Sequence, residues 1–340
     1  MTSSTDGRLR PAPNTRPSYL ESLQSRPDAL GALARLYTTS YAADYLALIL
    51  LLLLYIPLAL LVHPFHRLFY LSDHTIQYPH AEIERVPPLA LLLYGLGLPL
   101  ALVTAWALLL RPEKNKVQAS YLGLLGSVFV TTLVTDILKN AVGRPRPDLL
   151  ARCQPRDGTP VDVLVGIEVC TTSPSSHLLQ DGWRSFPSGH SSFSFSGLGF
   201  IALWLAGQTH ALRPAAQGGN LLKVIGALVP LVGAALVGVS RTEDYRHHWQ
   251  DVLSGSLLGV GVAWASYRRW WPGLRSGRCD QPYTSTREGR VARSGNGKDE
   301  ESALGGLERF GAGDEEDVSE DEREGLVGSG GGSAQRMGRS

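Results

Sequence analysis

The chain has 340 residues, and its 32 Lys and Arg against 31 Asp and Glu leave a formal net charge of +1. That balance supplies no basic excess for nucleic acid, and no such partner is expected. A length of 340 would admit two soluble domains, but the uneven placement of charge excludes them: leucine crowds the middle, while Gly, Ser, Glu, Asp and Arg fill the C-terminal part.

In chain order, residues 1–40 carry Arg8, Arg10, Arg16, Arg26 and Arg35 without a matching apolar pattern and read as a disordered tail. Uncharged apolar runs then recur at Tyr45–Val62, Pro88–Leu110, Val117–Thr135, Ser191–Leu212, Val224–Ser240 and Val252–Tyr267. A membrane helix takes about 20 mostly apolar residues, within roughly 17–25, and the first five runs meet that length or nearly so. The sixth is short, with Arg268 and Arg269 placed to snorkel and Trp264, Trp270 and Trp271 at the interface. So many long runs without a polar face are not the buried helices of a soluble protein. The first run starts too deep in the chain for a cleavable signal peptide and reads as a retained anchor.

Beyond the last run come an acidic block (Asp314, Glu315, Glu316, Asp317, Glu320, Asp321, Glu322) and the glycine run Gly328–Gly332, again without an apolar face to bury. The expectation is an all-α integral membrane bundle of six helices over residues 41–272, between disordered tails at 1–40 and 273–340. Six spans put both termini on one side, with Arg111, Lys114, Lys116, Arg213, Arg268, Arg269, Arg275 and Arg278, and the positive-inside rule makes that side cytosolic. The loops around 63–87, 139–190 and 240–251 fall opposite. Cys153 and Cys170 share one of these loops, as a disulfide or as two free thiols.

Three polar stretches border the runs on that opposite side. "DILKNAVGRPRPD" holds Lys139, then six residues, then Arg146-Pro147, with Arg144 between. "PSGH" is Pro187–His190. "SRTEDYRHHWQD" holds Ser240-Arg241, five residues, His247, three residues and Asp251. Taken together they make a phosphate site. Lys139, Arg146 and Arg241 bring positive charge, and arginine brings forked donors that suit phosphoryl oxygens. Ser188 offers a hydroxyl, Gly189 allows close backbone approach, and the amides of the following helix start favour an anion. Of two histidines, one can attack phosphorus while the other protonates the leaving oxygen. The spacing favours His247 over His248 as nucleophile, because in a helix Asp251 at i+4 would reach its imidazole. Asp136, three residues before Lys139, is a candidate to orient that lysine. Glu82, Glu84 and Arg85 read as a solvated loop rather than a gate.

These motifs resemble the three signatures of the type 2 phosphatidic acid phosphatase superfamily, K-x6-R-P, P-S-G-H and S-R-x5-H-x3-D, and no motif position departs from the pattern. Residues 65–87, "FHRLFYLSDHTIQYPHAEIERVP", resemble the first luminal loop of the lipid phosphate phosphatase branch, in particular its fungal diacylglycerol pyrophosphate phosphatase type. The resemblance covers about residues 41–272. It implies that Lys139, Arg146, Arg241, Ser188 and Gly189 bind phosphate; Asp136 and Arg144 remain secondary candidates by their positions alone. It further implies that His247 forms a phosphohistidine, that His190 protonates the leaving group, that Asp251 holds His247, and that neither metal nor other cofactor is required. The expected substrates are phosphatidic acid, diacylglycerol pyrophosphate and lysophosphatidic acid, in the vacuole, Golgi or plasma membrane. The rival readings are a sphingoid-base or isoprenoid phosphate phosphatase, a haloperoxidase with a similar anion pocket, and a catalytically silent binder or transporter. A binder has no use for His190, His247 and Asp251 together.

Overall fold

The computed structural model describes residues 26–31 and 41–283. The expectations of disorder for the rest of 1–40 and for 284–340 lie outside the described residues. Six long helices run through the described part: α1 (Ala42–Leu61), α2 (Pro88–Leu110), α3 (Lys114–Val142), α4 (Gly189–Gln208), α5 (Leu221–Glu243) and α6 (Trp249–Trp270). Among the described residues there is no β-strand, and two isolated bridges join loops.

Local chemistry sets the helix limits. Pro88 opens α2, where its fixed φ suits the first turn and its missing N–H costs nothing. Arg111 closes α2 in the left-handed region, ahead of Pro112. Gly143 closes α3 with φ 57, its N–H donating to the Lys139 carbonyl. That turn leads directly into Arg144 and Arg146.

α4 is the central helix, packed against α3, α5 and α6. Its serines Ser191, Ser192, Ser194 and Ser196 are buried, and several return their hydroxyls to the helix's own carbonyls, as Ser196 does to Phe193 at 2.8 Å. Ser127 of α3 donates across to the Ser196 carbonyl at 2.9 Å, and Trp204 donates to Ser120 at 2.9 Å. By contrast α1 and α2 turn most of their leucines outward, Leu53, Leu54, Leu60, Leu108 and Leu109 among them. Exposed apolar faces of this size are explained by lipid contact. Among the described residues four helices, α1, α2, α3 and α5, are long and apolar enough to cross a membrane. The expected count of six is thus met in helices but not in apolarity. At 20 and 22 residues α4 and α6 are as long, but α4 spends its length on buried serines, and α6 carries Asp251, Arg268 and Arg269.

At the end of the bundle where α3 finishes and α4 begins, the loops after α1 and α3 build a small core of their own. Phe69, Ile76, Leu149, Leu179 and Trp183 are buried there with Cys153 and Cys170, which are disulfide-bonded. At the other end residues 273–283 pack back on the helices, past the expected domain edge at 272. Cys279 is buried against the Gly207 carbonyl, and Lys116 pairs with Asp280 at 3.3 Å.

Candidate active site

The site forms where the C-terminal ends of α3 and α5 meet the N-terminal ends of α4 and α6. Ser188 is the N-cap of α4, its hydroxyl accepting from the Ser191 amide, and the Phe186-Pro187 bond before it is cis. The Ser188 amide donates to the Asp251 carbonyl at 2.9 Å. This lashes the α4 start to the α6 start. Gly255 permits that closeness, since a Cβ there would stand 2.5 Å from the Ser188 carbonyl oxygen. Gly189 has a second steric reason: a Cβ would stand 2.9 Å from the Lys139 Nζ. The lysine of the first stretch and the glycine of the second are therefore packed face to face.

His247 lies in the turn between α5 and α6 and is 3 % exposed. Its Nδ1 is 2.7 Å from the Ser185 carbonyl oxygen. A carbonyl can only accept, so Nδ1 carries the proton and Nε2 keeps its lone pair. Burial, and then the charges of Arg146, Lys139, Arg241 and His190, push its pKa well below the usual histidine value. All three stretches thus act on one imidazole, and they hold it neutral.

The cations are bound but not saturated. Arg146 donates to Asp181 at 2.7 Å, and Arg152 grips the other oxygen of that carboxylate at 3.0 Å. Burial alone would raise the Asp181 carboxyl, but Arg146 and Arg152 more than reverse this and hold it below the ordinary range. The Arg146 guanidinium is itself lowered to about 10, mainly by burial. Arg241 pairs with Asp244 at 3.2 Å and with Glu84 at 3.1 Å. The Nε–H groups of Arg146, Arg241 and Arg246 are buried without an acceptor. Unsatisfied buried donors are costly and mark a place where an oxyanion fits.

One expectation needs correction. Asp251 is buried, but its carboxylate stands 4.0 Å from the His247 Nδ1, beyond hydrogen-bond reach. The i,i+4 argument fails because α6 begins only at Trp249, leaving His247 in the preceding turn. His248 is the N-cap and Asp251 sits at N3, so the two form a capping box. Asp251 also accepts from the Ser185 hydroxyl at 2.6 Å and from Arg144 at 2.6 Å. It therefore positions His247 through Ser185, whose carbonyl holds the imidazole. Arg144 thereby sets its positive charge against Asp251. Asp136, the candidate to orient Lys139, also pairs with Arg184 at 3.2 Å, which leaves that expectation standing.

Sequence reasoning also missed residues. Glu84 is partly buried, not a solvated loop residue: its carboxylate spans Arg241 and Arg246, each within 3.2 Å. Arg246 and Asp181 carry no spacing signal, since each matters only through a partner distant in sequence. His190 reaches the Val86 carbonyl with Nε2 at 3.0 Å. Among the described residues no group of three or more His, Cys, Asp or Glu is placed to hold a metal ion.

Comparison with known proteins places the chain among relatives. A family model described as the PAP2 superfamily matches residues 120–274. The chain is 44 % identical over 266 residues to the probable diacylglycerol pyrophosphate phosphatase 1 of Schizosaccharomyces pombe, a match covering 75 % of this chain and 90 % of that one. It is 42 % identical to diacylglycerol pyrophosphate phosphatase 1 of Saccharomyces cerevisiae, over 67 % of this chain and 79 % of that one. Lipid phosphate phosphatase 2 of Arabidopsis thaliana is 41 % identical over 66 % of this chain and 76 % of its own length. No solved structure matches. With relatives this similar along most of their length, and a family model matched over residues 120–274, the chain belongs to the PAP2 superfamily.

Proposed function

We propose that this protein is an integral membrane lipid phosphate phosphatase that hydrolyses phosphatidic acid, diacylglycerol pyrophosphate and lysophosphatidic acid through a phosphohistidine. The observation that carries this reading is the 2.7 Å contact of the His247 Nδ1 with the Ser185 carbonyl oxygen, which assigns the proton to Nδ1 and leaves Nε2 free to act as nucleophile. The names of the most similar relatives support the choice of substrate.

In the proposed reaction the phosphoryl group lies among Lys139, Arg146 and Arg241, with the Ser188 hydroxyl and the Gly189 amide completing its shell. These groups neutralise charge on the equatorial oxygens. Nε2 of His247 forms a bond to phosphorus as the bond to the leaving oxygen breaks. The negative charge of the bound phosphate favours the protonated form of His190, which gives that oxygen its proton. The neutral His190 then takes a proton from water, whose oxygen attacks the phosphohistidine and frees inorganic phosphate and His247. The negative charge of Asp251 stabilises the imidazolium character that develops.

In the same proposal both termini are cytosolic and α4 and α6 also cross the bilayer. The site then opens on the non-cytosolic side, in vacuole, Golgi or plasma membrane, where the Cys153–Cys170 disulfide persists. The test is phosphate release from phosphatidic acid in detergent micelles with excess EDTA. Wild-type protein should turn over, and His247→Ala at matched folding should lose at least about 10³-fold in kcat. Turnover that survives in His247→Ala, or that needs added divalent metal, overturns the mechanism.

A further inference from the structure

The loop before α2 does more than border the site. Its Glu84 carboxylate puts Oε2 3.1 Å from Arg241 and Oε1 3.2 Å from Arg246, and it lies 3.8 Å from the His190 Nε2. Two residues on, the Val86 carbonyl accepts from His190 at 3.0 Å and lies 3.5 Å from Arg241. So one short segment occupies the proposed acid and one proposed phosphate-binding arginine at once. Two carboxylate oxygens bridging two guanidinium groups copy how a phosphate would be held.

The segment is well anchored around this contact. The Arg85 amide and guanidinium both donate to Asp244, at 3.0 and 3.2 Å. Arg246 donates to the Ala81 carbonyl at 3.0 Å, and His80 pairs with Asp148 at 2.6 Å. Tyr78 stacks on Tyr245 with ring centroids 4.7 Å apart. Glu84 itself is less well held. Its Oε2 is buried without a hydrogen-bond partner despite its nearness to Arg241, and the Nε–H groups of Arg241 and Arg246 also lack acceptors. A carboxylate has two oxygens in one plane, whereas a phosphoryl group offers three or four in a tetrahedron. Phosphate can satisfy donors that Glu84 leaves open.

We propose that Glu84 is an internal anion that occupies the leaving-group half of the site, against Arg241, Arg246 and His190, and is displaced by the substrate phosphate. The proposal rests on the phosphatase reading above and makes Glu84 a determinant of affinity rather than a participant in bond breaking. Displacement swings the carboxylate off Arg241 and Arg246 while Arg85 keeps the loop pinned to Asp244. Arg246, one residue before His247, thereby becomes a further phosphate contact on the side of the leaving group. For a pyrophosphate headgroup that position falls to the second phosphate.

The test measures inorganic phosphate as ligand, by isothermal titration with the full-length protein in detergent and as a competitive inhibitor of phosphatidic acid hydrolysis. Glu84→Gln keeps the shape and removes the charge. The expected result is phosphate binding tightened by about tenfold, with KM for phosphatidic acid lowered in step. Glu82→Gln, an exposed carboxylate on the same loop, should leave both unchanged. If Glu84 serves only to hold the arginines in place, its loss disorders them. Phosphate then binds more weakly and kcat falls, and that result, or no change at all, overturns the proposal. Because titration of phosphate needs no turnover, an inactive wild-type protein would sink the phosphatase reading and still leave the Glu84 result legible.

Discussion

Replacing Asp251 with Asn tests whether its charge or its hydrogen bonds matter to His247. The carboxylate stands 4.0 Å from the imidazole Nδ1. At that separation two unit charges interact by about 4 kcal/mol with an effective dielectric constant of 20. Arg144 binds the other carboxylate oxygen at 2.6 Å and opposes this field. If about half survives, roughly 2 kcal/mol of transition-state stabilisation is lost, or about 30-fold in kcat. Asn retains the shape and can still cap α6, so the fold should survive with a lower thermal midpoint. Ser185→Ala is the companion variant: it keeps the carbonyl that holds His247, removes the hydroxyl bonded to Asp251, and leaves the charge. Its expected cost is about threefold to tenfold, one net hydrogen bond. Single-turnover phosphate release in EDTA reads kcat for both. Asp251→Asn within threefold of wild type would refute the electrostatic argument. Equal losses in the two variants would shift the effect from the charge to the placing of Ser185.

Acid should destabilise the resting protein through His247. Its folded-state pKa lies below the unfolded value of about 6.5, so the stability it contributes is present above that pH and is lost as pH falls. The slope from this one group is up to about 1.4 kcal/mol per pH unit. Thermal midpoints in detergent between pH 7 and 5 should fall more steeply for wild type than for His247→Asn, and parallel slopes would refute the assignment. Asp181→Asn should leave Arg146 and Arg152 as buried charges without a full partner, costing about 3 kcal/mol of stability and raising KM more than it lowers kcat. Denaturation with parallel kinetics checks this, and an unchanged KM would show that Asp181 does not set Arg146.

What the sequence by itself determined is what depends on near neighbours. The apolar runs foretold α1, α2, α3 and α5 because lipid-facing helices must be apolar all along their length. That the three stretches would meet at one end of the bundle was legible from motifs at run borders, since an even number of spans returns the chain to one face. The choice of His247 over His248 rested on spacing, and the helical reason behind it fails because α6 begins only at Trp249.

What tertiary structure decided is how charges from distant segments share partners. Asp251 went to Arg144, Ser185 and His248 because α6 starts two residues after His247, a boundary that spacing alone places only to within a turn. α4 read in the sequence as an apolar run like the others, and only the packing of α3, α5 and α6 around it shows why its buried serines are tolerated, with hydroxyls that find carbonyls. Glu84 lies 157 residues from Arg241 along the chain, by subtraction of their positions. No local pattern marks an acidic loop residue as the partner of an arginine that far away. The loop must first be held in place by Arg85, Arg246 and the Tyr78–Tyr245 stack, and only then does its carboxylate meet Arg241 and Arg246.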